Sequence, residues 1–579
     1  MRMRYLFISL SMVVALNAGA QSIELGNIGE IAKSDPLIIT GVVGTQNTYH
    51  HTSLGDGYAS PMSNTFYANL DINLYGINMP FLLYYSNDNT QFTYPHITFQ
   101  LNPHYKNWTG HVGQSSMLFS EYVMGMSFNG VGVEYDDKNH WRFGSFYGTL
   151  RKAINDDPTD PRARTPQYKR IGWGFKAGYG NGGNYIDIYL LRAYDRLKSL
   201  SDYWQERLSP QENIVVGLKG AVAPTRFLSL NVNAAASVFS TDIRAQEVHT
   251  EETDQWANVF QARYSSLARF AGDVSANLSL SGISASVYYR MVQPDYISLG
   301  TYYLSNNYQS LGLNFSTTLL KGVSLSANFS GQQDNLSNKQ LYTTRGLIYS
   351  LIASTRLGGL NLALAYNGYT QKQYDGAAIV NDTTRVDRRT QSVSFTPSYG
   401  IDGDVLSHTI ALSTSFTENK DLNTFSNHTG DITSTAIGLS YNMGIKPWET
   451  NITASLNHQL SKGENTQYSS DIAALTASRN FFDEALTLSA TLSMCYNEIK
   501  HQSKSLSVAG DLQAGYTLKK AHTFSLSASM SKYGDVNPTK TRSSLDITDI
   551  SISLNYAYTF SLLELRRKGS GDTEKKGKM

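Results

Sequence analysis

Apolar and small polar residues alternate one for one along most of this chain. The pattern is plainest near the C-terminus. Ile550, Ile552, Leu554, Tyr556, Tyr558 and Phe560 share one parity, and Ser551, Ser553, Asn555, Ala557 and Thr559 share the other. Successive side chains of a strand point to opposite faces, so this run predicts a strand with one greasy face and one small polar face. Strands of a soluble sandwich are usually about 5–6 residues long, whereas these runs extend over about 10–14.

The same pattern recurs in pairs. Val274, Ala276, Leu278 and Leu280 reach Ser281-Gly282, and Ile283, Ala285, Val287 and Tyr289 lead away. Leu347, Tyr349, Leu351 and Ala353 turn at Gly358-Gly359 into Leu360, Leu362, Leu364 and Tyr366. Such Gly-, Lys- and Asp-containing breaks between alternating runs are hairpin signals. They fall near Gly76, Asn107, Asp137, Gly182, Pro224, Gly282, Gly322, Gly358, Gly403, Pro447, Asp483 and Lys520. The interval is about 40 residues, enough for two strands of about 12 and one longer loop. The clearest longer connections are 50–63, 150–169, 241–262, 291–308, 371–390, 417–433 and 531–547. Two strands per turn and one at each end predict about 26 strands, within 22 to 28. An even count places both chain ends on the tight-turn side, which is the periplasmic side in outer-membrane barrels.

These observations predict an all-β fold: a single large transmembrane antiparallel β-barrel with short periplasmic turns and long extracellular loops. Closure pairs every backbone donor and acceptor, which lipid demands. An open sheet of this size would need a second layer, and the sequence offers too little helix to build one. Tyr84, Tyr85, Trp173, Tyr288, Tyr289, Tyr302, Tyr303, Tyr556 and Tyr558 cluster toward strand ends, as an interfacial aromatic girdle would. The plainer alternative is that tyrosine is a good strand former.

Composition agrees. Charged residues are 16% and tyrosines number 38, against about a quarter charged in ordinary soluble domains. The net charge of +1 gives no general pull toward nucleic acid. Arg2 and Arg4, an apolar run from Tyr5 to Leu16 and Ala18-Gly19-Ala20 form a secretory signal with cleavage after Ala20. The chain therefore divides into a signal peptide (1–20), a short periplasmic N-terminal segment (21–36), the barrel (37–563) and a basic periplasmic tail (564–579). Cys495 is the only cysteine, so neither an intrachain disulfide nor a Cys-based zinc site can form. It is expected within a strand.

The last strand resembles the C-terminal recognition strand of outer-membrane barrels, with Phe560 in the place of the final aromatic. The chain departs from that pattern by continuing through Arg566, Arg567, Lys568, Lys575, Lys576 and Lys578. Asn102-Pro103-His104-Tyr105-Lys106, Gly130-Val131-Gly132-Val133-Glu134, Phe146-Tyr147-Gly148 and Tyr168-Lys169-Arg170 carry a second likeness. Residues 101–195, about a sixth of the chain, resemble a large, mostly uncharacterised class of outer-membrane β-barrels from Bacteroidota. The resemblance implies the barrel and the compartment, and brings no catalytic or ligand residues.

Motifs for chemistry are weak. Gly178, Gly180 and Gly183 match G-x-G-x-x-G, but an alternating run, Ile186, Ile188 and Leu190, follows where a dinucleotide site needs a helix. A hairpin is the better reading. Asp156, Asp157 and Asp160 lie in a Pro-broken loop without an EF-hand pattern. His50 and His51 are adjacent, so on a strand they face opposite sides and suit no single metal. No catalytic, cofactor or metal residues are assigned, and no enzyme activity is expected.

One charged group stands out. Arg151, Lys152, Arg162, Arg164, Lys169 and Arg170 surround a long loop. Folded inward, the loop would place lumen or constriction charges that attract anions. Outside, it is an ordinary solvated loop. Leu197, Leu200, Trp204 and Leu208 have helical spacing, which suggests a short helix over or inside the barrel. Residues 21–36 are too few for a folded plug domain, yet a barrel of about 26 strands has a wide lumen. The expectation is an outer-membrane channel or translocation barrel, filled by its own loops or by partner proteins. The alternative is a structural or assembly scaffold in an outer-membrane complex. Expected partners are outer-membrane lipid and periplasmic or surface proteins, with no nucleic acid.

Overall fold

In the computed structural model the alternating runs become one closed antiparallel sheet. The structure describes residues 37–53, 61–87, 97–157, 159, 164–257, 259–318, 322–426, 429–536 and 546–561. The expected signal peptide, residues 21–36, the tail 564–579 and Arg162 lie outside the described residues.

The strands are β1 (Ile38–Thr52), β2 (Met62–Leu74), β3 (Ile77–Ser86), β4 (Ile97–Leu101, resuming at His104–Tyr105), β5 (Trp108–Ser115), β6 (Phe128–Asp136), β7 (Trp141–Arg151), β8 (Arg170–Asn181) and β9 (Asn184–Asp195). Next come β10 (Glu212–Thr225), β11 (Leu228–Ser240), β12 (Ser266–Leu280), β13 (Ile283–Val292), β14 (Tyr308–Thr317), β15 (Val323–Asp334), β16 (Tyr342–Leu357) and β17 (Leu360–Asp375). The last are β18 (Asp387–Phe395, resuming at Ser398–Asp402), β19 (Leu406–Asp421), β20 (Ile432–Ile445), β21 (Thr450–Gly463), β22 (Gln467–Phe481), β23 (Leu486–Ile499), β24 (Ser503–Leu518), β25 (His522–Asp535) and β26 (Asp546–Ser561). Among the described residues there are two α-helices, α1 (Asp202–Arg207) and α2 (Glu251–Trp256).

Each strand pairs with its chain neighbours, and β1 pairs with β26 from Thr40–Ser561 to Thr52–Asp549. That seam closes the cylinder and removes both sheet edges. Eleven of the twelve expected tight turns are present among the described residues, and the twelfth, near Gly322, falls partly on residues 319–321, which lie outside them. At Tyr75-Gly76 both residues take left-handed backbone angles, φ 50° and 82°, as the commonest two-residue hairpin turn requires. Strands at a spacing of about 4.8 Å, tilted by about 40°, give a perimeter of about 160 Å.

Register fixes the two faces. Val287, Leu313, Phe329 and Tyr349 stand side by side on β13 to β16 and face outward. Around the wall they join Ile410, Leu456, Leu492, Leu512 and Leu554, all strongly exposed apolar residues. Scattered exposed leucines need no explanation, but a continuous apolar belt does. A belt around an edgeless cylinder is the surface of a barrel that spans a membrane by strands. The inward face is small and polar over β19 to β26 and β1. Ser434 meets Ser461 at 2.8 Å, Thr476 meets Thr491 at 3.0 Å and Thr48 meets Ser553 at 2.9 Å. Cys495 lies on β23, as expected, with its thiol 3.7 Å from Ser470 Oγ.

Three details depart from the sequence reading. The connections expected at 371–390 and 417–433 shrink to 376–386 and 422–431, because the strands run on past the membrane belt. Tyr302 and Tyr303 are not girdle residues. They sit in the connection between β13 and β14, 75% and 85% exposed, since the turns around Asp295 and Gly300 end the strand pattern before them. Residues 116–127, between β5 and β6, form a further long connection that the alternation did not announce.

The outward assignment is testable on neighbouring residues of β24. Leu512→Arg should cost about 2–4 kcal/mol in a bilayer, as a cation in the middle of the belt does. Gln513→Arg, turned to the lumen, should stay within about 0.5 kcal/mol of the parent. Denaturant unfolding in lipid vesicles measures both, and equal costs would remove the lipid-facing assignment.

Candidate functional site

The packed core of this protein lies inside the cylinder. Residues 116–127 and 293–307 both leave the long-loop end and fold down against the inner wall of β6 to β13. Tyr122, Val123, Met124, Phe128, Leu191, Val215, Val292, Tyr296 and Leu299 share one buried cluster. Such a cluster forms here because residues 117–126 are apolar on both parities (Met117, Leu118, Phe119, Val123, Met124, Met126) and cannot serve as a strand with a wet face.

Glycines of the wall make room. A Cβ added at Gly217 on β10 would collide with Val123 Cγ2, and one at Gly174 on β8 with the ring of Phe146. At Gly144 on β7 it would lie 2.8 Å from Met117 Cε. Gly300, within the second segment, is pressed against Leu191 in the same way. At Gly217 and Gly300 these are close approaches that a residue without a side chain permits, whereas at Gly144 the contact is the flexible end of Met117.

Backbone groups of the two segments have no sheet ladder, so they pair with each other and with wall side chains. Met124 and Gly300 form a parallel bridge, and the amides of Gly125 and Met126 donate to Gly300 O at 3.0 and 3.1 Å. Tyr296 OH donates to Tyr122 O at 2.8 Å, and Ser298 Oγ to Val123 O at 2.5 Å. From the wall, Asn213 Oδ1 accepts from Leu299 N at 3.1 Å, and Ser237 Oγ donates to Ile297 O at 2.6 Å. Ser120 Oγ donates to Asn233 Oδ1 at 2.6 Å. Tyr122 OH donates to Asp273 Oδ1 at 2.7 Å, and Glu121 pairs with Arg290 at 3.2 Å. Burial, and then the bond to Asp273, raise the Tyr122 phenol far above its ordinary value. It therefore stays protonated and keeps donating.

The same arc of wall is densely charged, and the charges are paired. Glu134 lies between His111, at 2.9 Å, and Lys176, whose ammonium also donates to Leu118 O at 3.3 Å. Arg142 meets Asp187 at 2.7 Å. Asp195 accepts from Arg170 at 2.8 Å and from Arg151 at 3.4 Å. The arc over β19 to β26 presents mainly hydroxyls and amides, with Asp421, Asp511, Asp535 and Asp549 as its inward charges. The lumen thus has one densely charged, covered side and one open side with few, acidic charges.

Of the six cations singled out in the sequence, the five among the described residues do not act as one group. Arg170 faces inward, buried, and is held by Asp195 and Gln211. Arg151 shares Asp195 across a register shift in β7. Arg164 pairs with Asp156 at 2.8 Å in the exposed loop, and its guanidinium holds the Asp156 carboxyl down to about 2. Lys152 is exposed, and Lys169 is tied through its backbone to Ser199 and Arg196. The loop packs on the segment around α1: Trp204 Nε1 donates to Asp156 O at 3.1 Å and Tyr168 OH to Leu208 O at 3.2 Å. The helical spacing at 197–208 is thereby realised as a 3-10 turn and α1 at the long-loop end. The G-x-G-x-x-G match is the β8–β9 hairpin. Among the described residues no group of three or more His, Cys, Asp or Glu is placed to hold a metal ion.

No family model and no curated protein matches the sequence. Among solved structures, the chain is similar to the P pilus usher PapC translocation pore. Identity is 10% and the TM-score 0.35, over 90% of this chain and 100% of that one. It is also similar to Pseudomonas aeruginosa OccK9 (OpdG), at 11% identity and a TM-score of 0.30 over 61% and 92% of the two chains. Acinetobacter baumannii OccAB2 stands at 10% identity and 0.30, again over 61% and 92%.

The glycine notch at Gly217 gives a direct test. Gly217→Val should expel Val123, with an overpacking cost of about 1–3 kcal/mol falling on the inward segments and not on the sheet. With Cys495 replaced by Ser, a cysteine introduced at fully buried Ser120 should resist thiol labelling in the parent and react readily beside Gly217→Val. Equal labelling in both would mean that the segments are not seated as described.

Proposed function

We propose that this protein is an outer-membrane channel or translocation barrel whose lumen is occluded by its own inward segments, with room left for partner proteins. The observation that carries this reading is the docking of residues 116–127 and 293–307 on each other and in glycine notches of the wall. A bare cylinder with a perimeter of about 160 Å would leak. Two hydrogen-bonded segments at strand mid-height limit that leak without a separate plug domain. The outer membrane is the compartment that suits an edgeless barrel with a secretory signal.

The two sides of the lumen suggest what passes. The open wall is mainly hydroxyls and amides with a few scattered carboxylates, and the charges opposite are already neutralised by one another. Large hydrophilic cargo that is not selected by charge fits this surface better than a small anion or cation does. The scaffold alternative keeps the same barrel and assigns its loops to partner proteins.

Conductance in planar bilayers separates the readings. The parent should show small or rare openings. A variant in which residues 116–127 and 293–307 are both replaced by short Gly-Ser linkers should show large, steady ones. Wide conductance from the parent, or a replaced barrel that remains closed, would reject self-occlusion. A closed replaced barrel that co-purifies with other envelope proteins would favour the scaffold.

A further inference from the structure

On the outward face above the apolar belt, cations stand directly opposite one another on one arc, while Lys504 and Lys532 elsewhere each meet a carboxylate, Glu498 and Asp546, at 3.3 Å. On β16 the outward positions from Leu357 up to Leu347 are apolar except for Thr355, and the next is Arg345. Directly opposite it on β17 stands Lys372. On the following pair of strands Arg389 stands directly opposite Lys420. Register places all four on the face shared by Leu347, Tyr349 and Phe416. Like charges directly opposite destabilise an antiparallel pair, and this wall does so twice in four strands.

Protein groups offset the repulsion only in part. Asp387 pairs with Lys372 at 2.9 Å. Glu418 lies 2.9 Å from Lys420 and 3.8 Å from Arg389. Two carboxylates thus answer four cations. Arg345 has only the neutral Gln333, at 3.1 Å, and the face of Tyr374, 4.9 Å from its guanidinium. Arg389 Nε is buried without a hydrogen-bond acceptor. Tyr374 itself is exposed, with Lys372 also over its ring at 5.9 Å.

We infer that β16 to β19 bind the phosphate-bearing headgroup of a lipid in the leaflet next to the long loops. The height is right: these cations stand at the long-loop ends of their strands, past Leu347, Tyr366, Val393 and Phe416, the last large apolar residues of the outward face, where headgroups lie. The chemistry is right as well. A phosphate accepts bidentate guanidinium bonds and bridges paired cations, and the Tyr374 ring offers an amphipathic surface at the interface. A lipid source suits a site on the outer wall, which no lumenal solute reaches. The inference rests on the membrane-barrel reading.

The test uses the full-length barrel, reconstituted in vesicles with and without a bisphosphorylated glycolipid and then extracted in mild detergent. Native mass spectrometry reads the glycolipid retained per barrel. The parent should retain it, and R345Q/K372Q/R389Q/K420Q should lose it by roughly fivefold for each cation removed. Lys532→Gln, on the far arc, should retain it like the parent. If the quadruple variant does not fold, Tyr374→Ala, read beside a fold check by heat-modified migration, should still reduce retention. Equal retention by parent and variants, equal retention of a dephosphorylated glycolipid, or displacement by millimolar inorganic phosphate would each overturn the inference while leaving the barrel intact. Failure of the parent to insert into vesicles would overturn the membrane reading, and this inference with it.

Discussion

A peptide group that faces hydrocarbon has no water to bond with, so its partner must lie within the protein. The architecture of this chain follows from that constraint. It dictates closure of β1 on β26, the even number of strands, and the absence of any edge. It also leaves strand side chains only two environments, which is why one parity is apolar and the other small and polar. Since the ladder uses up the backbone of the wall, a structure inside the lumen has to be built from connections.

The two inward segments show how irregular backbone is accommodated there. Their carbonyls and amides are satisfied by each other, at Gly300, and by side chains of the wall, at Asn213 and Ser237. Burial of Tyr122, Val123 and Leu299 supplies the attraction, and glycines in the facing strands supply the space. The paired charges around Glu134, Asp187 and Asp195 fit the same logic. A buried or half-buried charge without a partner is expensive, so the covered arc of the lumen carries its ions in compensated sets. The open arc, in contact with water, manages with hydroxyls.

Much of the fold was legible in the sequence because period-2 alternation and turn chemistry are local. The strand count, the tight turns among the described residues and the parity of the lipid face follow from residues a few positions apart. The inward segments were not legible, since their partners lie far away in sequence: Ser120 meets Asn233, and Val123 meets Gly217. A local sign did exist in residues 117–126, where three methionines and apolar residues on both parities interrupt the alternation. Tyr302 and Tyr303 misled because an aromatic pair near a strand end looks the same whether it meets lipid or the lumen. The cation group around 151–170 showed its charges and the nearby Asp156, but not Asp195, which comes from β9 and answers both Arg151 and Arg170.

The join between first and last strands is paired residue by residue along nearly the whole of β1, as fully as the hairpins on either side. The closing join is therefore no weaker than its neighbours; the thinnest pairing among the described residues lies elsewhere, between β4 and β5, at Gln100–Gly113, Leu101–Val112, His104–Thr109 and Tyr105–Trp108. Nothing can slip sideways into the bilayer at the closing join without unmaking a complete hydrogen-bonded ladder.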